Sequence, residues 1–437
     1  MSKKIIIAVL ALVVVIGFTF WHFGLNLFKG NTTEGPITLT YWGLWEDDSL
    51  IKPLIEQYQS HNPNVKVSYV KQSSINYRTR VQTQIRNGVG PDVFRIHSSW
   101  TDMFTGDLSA APASTFSLPE YQSTFYPIAS SSFVKNNQIL AAPMEIDGLA
   151  LYINTDILTA VGVQPPKTWQ EFIDSATKMT VRDQNGQIKT AGAAIGNASN
   201  VDHWSDILGL LMLQQPNINF NNLATPTAAE VFRFYTSFIT NPSMKTWDAT
   251  MPSSTEAFYS GRLAFYFAPS WRAFDLRQAN PNLKFKVVPV PQLPPNPNVA
   301  WASFWGETVS SRSKNKAESW KFIKFLTSKE AEKLAYKTAS SLRLFGEPYS
   351  RLDLAPEIVN DPVVGAFVQQ GPYYKSWYLN SNTLDAGINE EMSKYWEDGI
   401  NSTLAGTDPL AALQTVDRGV QQVLEKYTKQ PATSPNR

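Results

Sequence analysis

Glu145 and Asp147 stand two residues apart in the segment 139–154, which reads ILAAPMEIDGLALYIN. A second acidic pair, Glu46 and Asp47, follows the first strand-like run. Two carboxylates can hydrolyse a glycoside, but only when they flank the scissile bond, usually from different elements. Residues two apart on a strand share one face instead. The chain has no GxSxG elbow, phosphate loop or Gly-rich dinucleotide motif. With no cysteine it has no disulfide, catalytic thiol, thiolate metal site or lipid-modified N-terminal cysteine. His22, His61, His97 and His203 are scattered and form no paired-His helical motif, so neither metal nor other cofactor is expected. A net charge of +1 gives no electrostatic case for nucleic acid. These residue types point to binding without catalysis.

The 13 Trp, 17 Tyr and 24 Phe are the compositional outlier. Large cores absorb many rings, and Trp in such number also suits a surface that grips flat, partly apolar ligands. The candidate platforms are Trp42, Trp45, Trp100, Trp204, Trp271, Trp305, Tyr374 and Trp377. Each would serve a core as readily as a pocket. Trp271 stands out because Ser270 reads as an N-cap just after the strand-like run 263–267. A helix start beside a strand's carboxyl end offers free N–H groups and a rigid ring together. Asp147, beside a buried-strand pattern, needs a partner that ligand hydroxyls could supply. Glu145 is expected in solvent.

The elements that must position these groups exceed one hydrophobic core, since 437 residues imply two lobes. Runs at 37–42, 65–70 and 91–96 read as strands, with helical stripes at 50–58 and 78–86 between them. That rhythm is a doubly wound sheet, whose ligands bind beyond the strands' carboxyl ends. The second lobe reads as mostly helical, with capping boxes at Thr168 and Thr227, a helix over 202–213 and strands at 263–267 and 285–290. Asp361-Pro362 and Asp408-Pro409 read as helix starts. Segment 299–306 is extended and aromatic, and 340–348 is irregular after a helix over 329–338. The N-terminus carries Lys3-Lys4 before a long apolar run, and no small-residue cleavage site precedes Lys29. It is expected to be an uncleaved single-pass membrane anchor over 1–30, joined by a linker over 31–36.

The chain resembles the extracellular solute-binding proteins of ABC importers, the group that includes maltose-binding protein. The resemblance rests on TLTYWGLWEDD, GVGPDVFRI, AAPMEIDGLALYINTDIL, PKTWQEF and FYSGRLAFYFAPSW, in that order and spacing. It implies an α/β periplasmic-binding-protein fold, two lobes joined by three hinge crossovers near Asp147, 300–306 and 341–345. The lobes would be 37–146 plus 303–343 and 147–302 plus 344–430, with a tail over 431–437. It also implies a monomer that binds a small molecule, a sugar in kind, and hands it to a membrane permease. Pocket contacts would come from Trp42, Trp45 and Glu46, from His97, Ser98 and Trp100, and from Asp147 and Trp271. Sugars offer hydroxyls at their edges and C–H groups on their faces, which suits aromatic platforms rimmed by polar groups. A glycan-active enzyme, or a binder of a polyol, a phosphorylated polyol or a peptide on the same fold, is the alternative.

Overall fold

The computed structural model describes residues 35–428. The expected anchor over 1–30, most of the linker 31–36 and the tail 431–437 lie outside these residues. Among the described residues no helix is long and apolar enough to cross a membrane.

The strands of the first sheet are β1 (Ile37–Gly43), β2 (Val65–Lys71), β3 (Val93–His97) and β4 (Leu108–Ser109), with a later strand inserted beside β3. β1 pairs in parallel with both β2 and β3, as the strand–helix rhythm predicts. The intervening helices are α1 (Asp48–His61) and α2 (Tyr77–Arg86). Pro53 lies inside α1 rather than in its first turn. Burial of Ile51, Leu54, Ile55 and Tyr58 along one face outweighs the hydrogen bond that proline forgoes.

The second lobe has more helix than strand, as expected, but it also carries its own five-stranded sheet. The strands are β5 (Ala150–Asn154), β6 (Val181–Arg182), β7 (Ile188–Ala193), β8 (Leu263–Ala268) and β9 (Phe285–Val288), in the spatial order β9-β5-β8-β7-β6. β6 and β7 escape a pattern reading because β6 is short and exposed and β7 is Gly- and Ala-rich. β10 (Trp305–Ser310) returns to the first sheet and lies antiparallel to β3, where the sequence suggested only an extended crossover.

The longer helices of the second lobe and C-terminal half are α3 (Trp169–Met179), α4 (Trp204–Leu213), α5 (Pro226–Thr240), α6 (Arg272–Ala279), α7 (Lys316–Leu326), α8 (Lys329–Leu342), α9 (Ile388–Leu404) and α10 (Pro409–Thr428). The Thr168 capping box forms. The Thr227 box does not: Pro226 takes the first helical position, where its missing N–H costs nothing, and Thr225 is the cap. Trp271, not Ser270, is the N-cap of α6, because the Ser270 hydroxyl is turned to Asp147. Asp408 accepts from the N–H groups of Leu410 and Ala411 at the start of α10. Asp361 instead caps a turn that precedes the helix Gly365–Gln370.

Two crossings carry the chain between the sheets and a third leads from the first-sheet half to the C-terminal helices, and the crossing segments pair with one another. Leu149 N–H donates to Trp301 O at 2.9 Å, and Ser303 N–H donates to Asp147 O at 3.0 Å. Ile146 N–H donates to Pro348 O at 2.9 Å. The third crossing therefore pairs at Pro348 and Tyr349, beyond the expected 341–345, because α8 continues to Leu342 with Ala339 buried. Gly148 makes the close approach possible. A Cβ there would meet the Trp301 carbonyl oxygen at 2.0 Å. Gly148→Ala is expected to destabilise the protein by about 1–3 kcal/mol, the usual cost of overpacking. Urea unfolding measures this; an unchanged midpoint would show that the crossovers do not pack so closely.

Candidate functional site

A cavity of about 380 Å³ lies between the sheets. The loop after β1 supplies Trp45 and Glu46, and the carboxyl end of β3 supplies Arg95 and His97. This is where a parallel sheet presents its loops to a ligand. The crossovers add Glu145, Asp147 and Trp301, and the first residue of β10 adds Trp305. The second lobe contributes Asp206, Trp271 and Phe274, and the segment after α8 contributes Arg343 and Glu347.

Arg95 is the electrostatic centre. Its side chain is 2% exposed. Its Nε donates to Glu307 at 2.7 Å, its Nη1 to both oxygens of Glu46 at 2.9 and 2.8 Å, and its Nη2 to Glu145 at 3.3 Å. Glu145 is thus buried and ion-paired, not solvated as expected, because an unpaired guanidinium here would be prohibitively costly. Burial holds the Glu145 carboxyl well above its ordinary range, Glu46 and Glu347 add to that, and Arg95 opposes it. Sequence reasoning passed over Arg95, yet an arginine inside the apolar run PDVFRI is itself a signal that carboxylates must converge there.

Asp147 is 7% exposed. It accepts from Gly148 N–H at 2.7 Å, Ser270 N–H at 3.1 Å and the Ser270 hydroxyl at 2.9 Å. The partner it needs is therefore supplied within the protein, across the junction between the first crossover and α6. Burial pushes its carboxyl up to about 8 against these hydrogen bonds. His97 is held neutral, its pKa lowered to about 3 by burial. Its ring nitrogens face the hydroxyls of Ser99 at 2.8 Å and Ser303 at 3.1 Å.

Of the aromatic candidates, Trp45, Trp271 and Trp305 line the cavity. Trp45 is 41% exposed and packs edge-on to Trp305 at 5.7 Å. Trp271 is half-buried, with the Arg272 guanidinium 4.4 Å over its ring. The other candidates lie outside the cavity wall. Trp100 is 1% exposed behind Trp305, and Ser98 and Tyr374 are also buried. Trp42 and Trp204 are half-buried against the core, where an apolar ring gains more than at the wall. Trp377 stacks on Phe220 at 4.1 Å. The reverse omission is Trp301, fully buried at its core side yet lining the cavity, with its Nε1 donating to Asp206 at 2.8 Å. Among the described residues no three His, Cys, Asp or Glu side chains are grouped to hold a metal ion.

A two-lobed α/β chain with an aromatic and acidic cleft at its crossovers has the architecture of a solute-binding protein. Residues 42–333 match the model of the family described as bacterial extracellular solute-binding protein, and the chain belongs to that family. It is 24% identical over 437 aligned positions to the sn-glycerol-3-phosphate-binding periplasmic protein of Salmonella typhimurium, covering 90% of this chain and 93% of the relative. Its fold is similar to that of a Listeria monocytogenes ABC substrate-binding protein in complex with cycloalternan, with a TM-score of 0.65 and 19% identity over 89% of this chain and 99% of that one. It is also similar to a cyclo/maltodextrin-binding protein complexed with maltotetraose, with a TM-score of 0.70 and 18% identity over 90% and 99% of the chains.

Asp147 gives a pH test. Its folded-state pKa of about 8 exceeds the ordinary 3.8, so the folded protein holds a proton that the unfolded chain releases. Its contribution to stability is present below about pH 4 and is lost as pH rises towards 8. Between those limits the wild-type protein should lose up to about 1.4 kcal/mol per pH unit relative to Asp147→Asn. Denaturant unfolding of both proteins across that window measures the difference in slope. Parallel curves would show that Asp147 is ionised throughout.

Proposed function

We propose that this protein is the extracytoplasmic substrate-binding component of an ABC importer, catching a carbohydrate between its lobes and passing it to a membrane permease. One observation carries the ligand class: the cavity combines indoles, of which Trp45 is the most exposed, with carboxylates on the crossovers. Rings take the C–H faces of a saccharide and carboxylates take its hydroxyls. The structural neighbours bound to cycloalternan and maltotetraose support the same reading. In this reading the lobes are 37–146 plus 303–343 and 147–302 plus 344–430, the N-terminal apolar run anchors a monomer to the membrane, and no catalysis occurs.

The Salmonella relative's ligand favours a phosphorylated polyol as the second reading. The charges argue against it. A phosphate needs unspent donors. Arg95 is occupied by Glu46, Glu145 and Glu307, and Arg343 by Glu347 and the Phe345 carbonyl.

Titration calorimetry with maltotetraose, cycloalternan and sn-glycerol-3-phosphate separates the two readings. A saccharide should bind and the phosphate should not; the opposite result would overturn the proposal. With the bound saccharide, small-angle scattering should show a smaller radius of gyration as the lobes close. Trp271→Ala should cost about 2 kcal/mol or more of binding, roughly a thirtyfold rise in Kd. Its melting temperature should change little. A collapse in melting with unchanged affinity would make Trp271 a core residue.

A further inference from the structure

The carboxylates of the cleft outnumber its cations. Even with Asp147 holding its proton, Glu46, Glu145, Asp206 and Glu347 line it, against Arg95 and Arg343 alone. Neutral His97 adds no charge. Arg272, at the rim, lies over Trp271 and is paired with Asp275 at 2.9 Å. The excess continues into a recess of about 40 Å³ that shares Glu46, Arg95, Glu145, Arg343 and Glu347 with the cleft. Glu332 also lines that recess.

Glu332 is 2% exposed, and only one of its oxygens is satisfied. Oε1 accepts from the Ser350 hydroxyl at 2.6 Å, while Oε2 has no hydrogen-bond partner. The adjacent guanidinium, Arg351, is engaged with Asp353 at 2.9 Å and with the Thr327 carbonyl at 3.1 Å. A buried carboxylate oxygen without a donor is costly, and a native structure that keeps one invites an explanation. The recess has room for a group of about the size of a water molecule, which an ammonium group matches. The cleft walls are equally suited to a cation, since the faces of Trp rings attract positive charge.

We infer that the ligand carries a positive charge, and that it is a saccharide with at least one protonated amine whose ammonium is met by Glu46, Glu145, Glu332 and Glu347. This rests on the cleft being the saccharide site proposed above. Hydroxyls alone would satisfy single lone pairs but leave the surplus negative charge unanswered. Burial already holds the carboxyls of Glu145, Glu332 and Glu347 above their ordinary range, and a bound cation relieves that stress. The same surplus repels a phosphate.

The test is titration calorimetry of the full chain at about pH 6, where free amines are protonated. The probes are a β-1,4-linked glucosamine trimer, its fully N-acetylated counterpart, maltotetraose and spermidine. The glucosamine trimer should bind about tenfold or more tightly than the N-acetylated trimer, and Glu332→Gln should remove that advantage while leaving the neutral sugars unchanged. Glu347→Gln should also narrow the ratio of glucosamine-trimer to N-acetylated-trimer affinity, whatever it does to each affinity alone, which keeps the test decisive if Glu332→Gln fails to fold. Equal or tighter binding of either neutral saccharide overturns the charge inference and leaves the carbohydrate reading standing. Spermidine bound without any saccharide supports the charge and overturns the carbohydrate reading. Binding of none of the probes overturns the inference.

Discussion

One buried guanidinium organises the cleft. Arg95 sits on β3 with its side chain withdrawn from water, and its donors reach carboxylates on three separate parts of the chain. Glu46 comes from the loop after β1, Glu145 from the first crossover and Glu307 from β10. Each ion loses hydration worth several kcal/mol on burial, and only well-placed partners recover it. Removing one partner of such a group typically costs about 3–5 kcal/mol. The loop, the crossover and the returning strand are therefore held in a single arrangement, and each of them also supplies the cavity wall.

The same logic fixes the crossovers to the second lobe. Asp147 on the first crossover is gripped by the backbone and hydroxyl of Ser270 ahead of α6. Asp206 on α4 accepts from the Trp301 indole of the second crossover and from the Ser381 N–H. Around Ser381 the chain spans both lobes: Arg78 Nε donates to the Asp385 carbonyl at 2.8 Å, and the Ser99 hydroxyl donates to Asn389 at 2.9 Å. Asn382, Leu384 and Ala386 all hold positive φ in this stretch, a conformation that non-glycine residues rarely adopt. These polar contacts frame the cleft above an apolar core that runs from Phe94 and Ile96 through Ile146 and Leu149 to the second sheet.

The surplus of carboxylates gives the cleft its chemical character. The indoles of Trp45, Trp271 and Trp305 provide faces and edges, but rings alone discriminate poorly among saccharides. Charge discriminates strongly, because like charges brought together in a desolvated site are costly. The cleft's two arginines are neutralised from within, so its field towards a ligand is set by the remaining acids.

Local patterns determined a good part of this protein. The alternation of β1 and β2, the helical stripes of α1 and α2, and the Thr168 capping box depend on neighbours a few residues apart, and these formed as their sequence suggests. Motif order was enough to indicate a two-lobed solute-binding fold. What only the tertiary structure decided lies between residues distant in sequence. Arg95 and Glu307 are 212 residues apart, and nothing near either one announces the other. Trp42 and Trp45 sit on the same turn of chain, yet Trp45 faces the cavity while Trp42 packs against the core. Ring chemistry is identical in the two places; the difference is which surface the folded sheet brings over each ring. Glu145 is paired rather than solvated for the same reason, since the state of a carboxylate depends on where a remote guanidinium comes to rest.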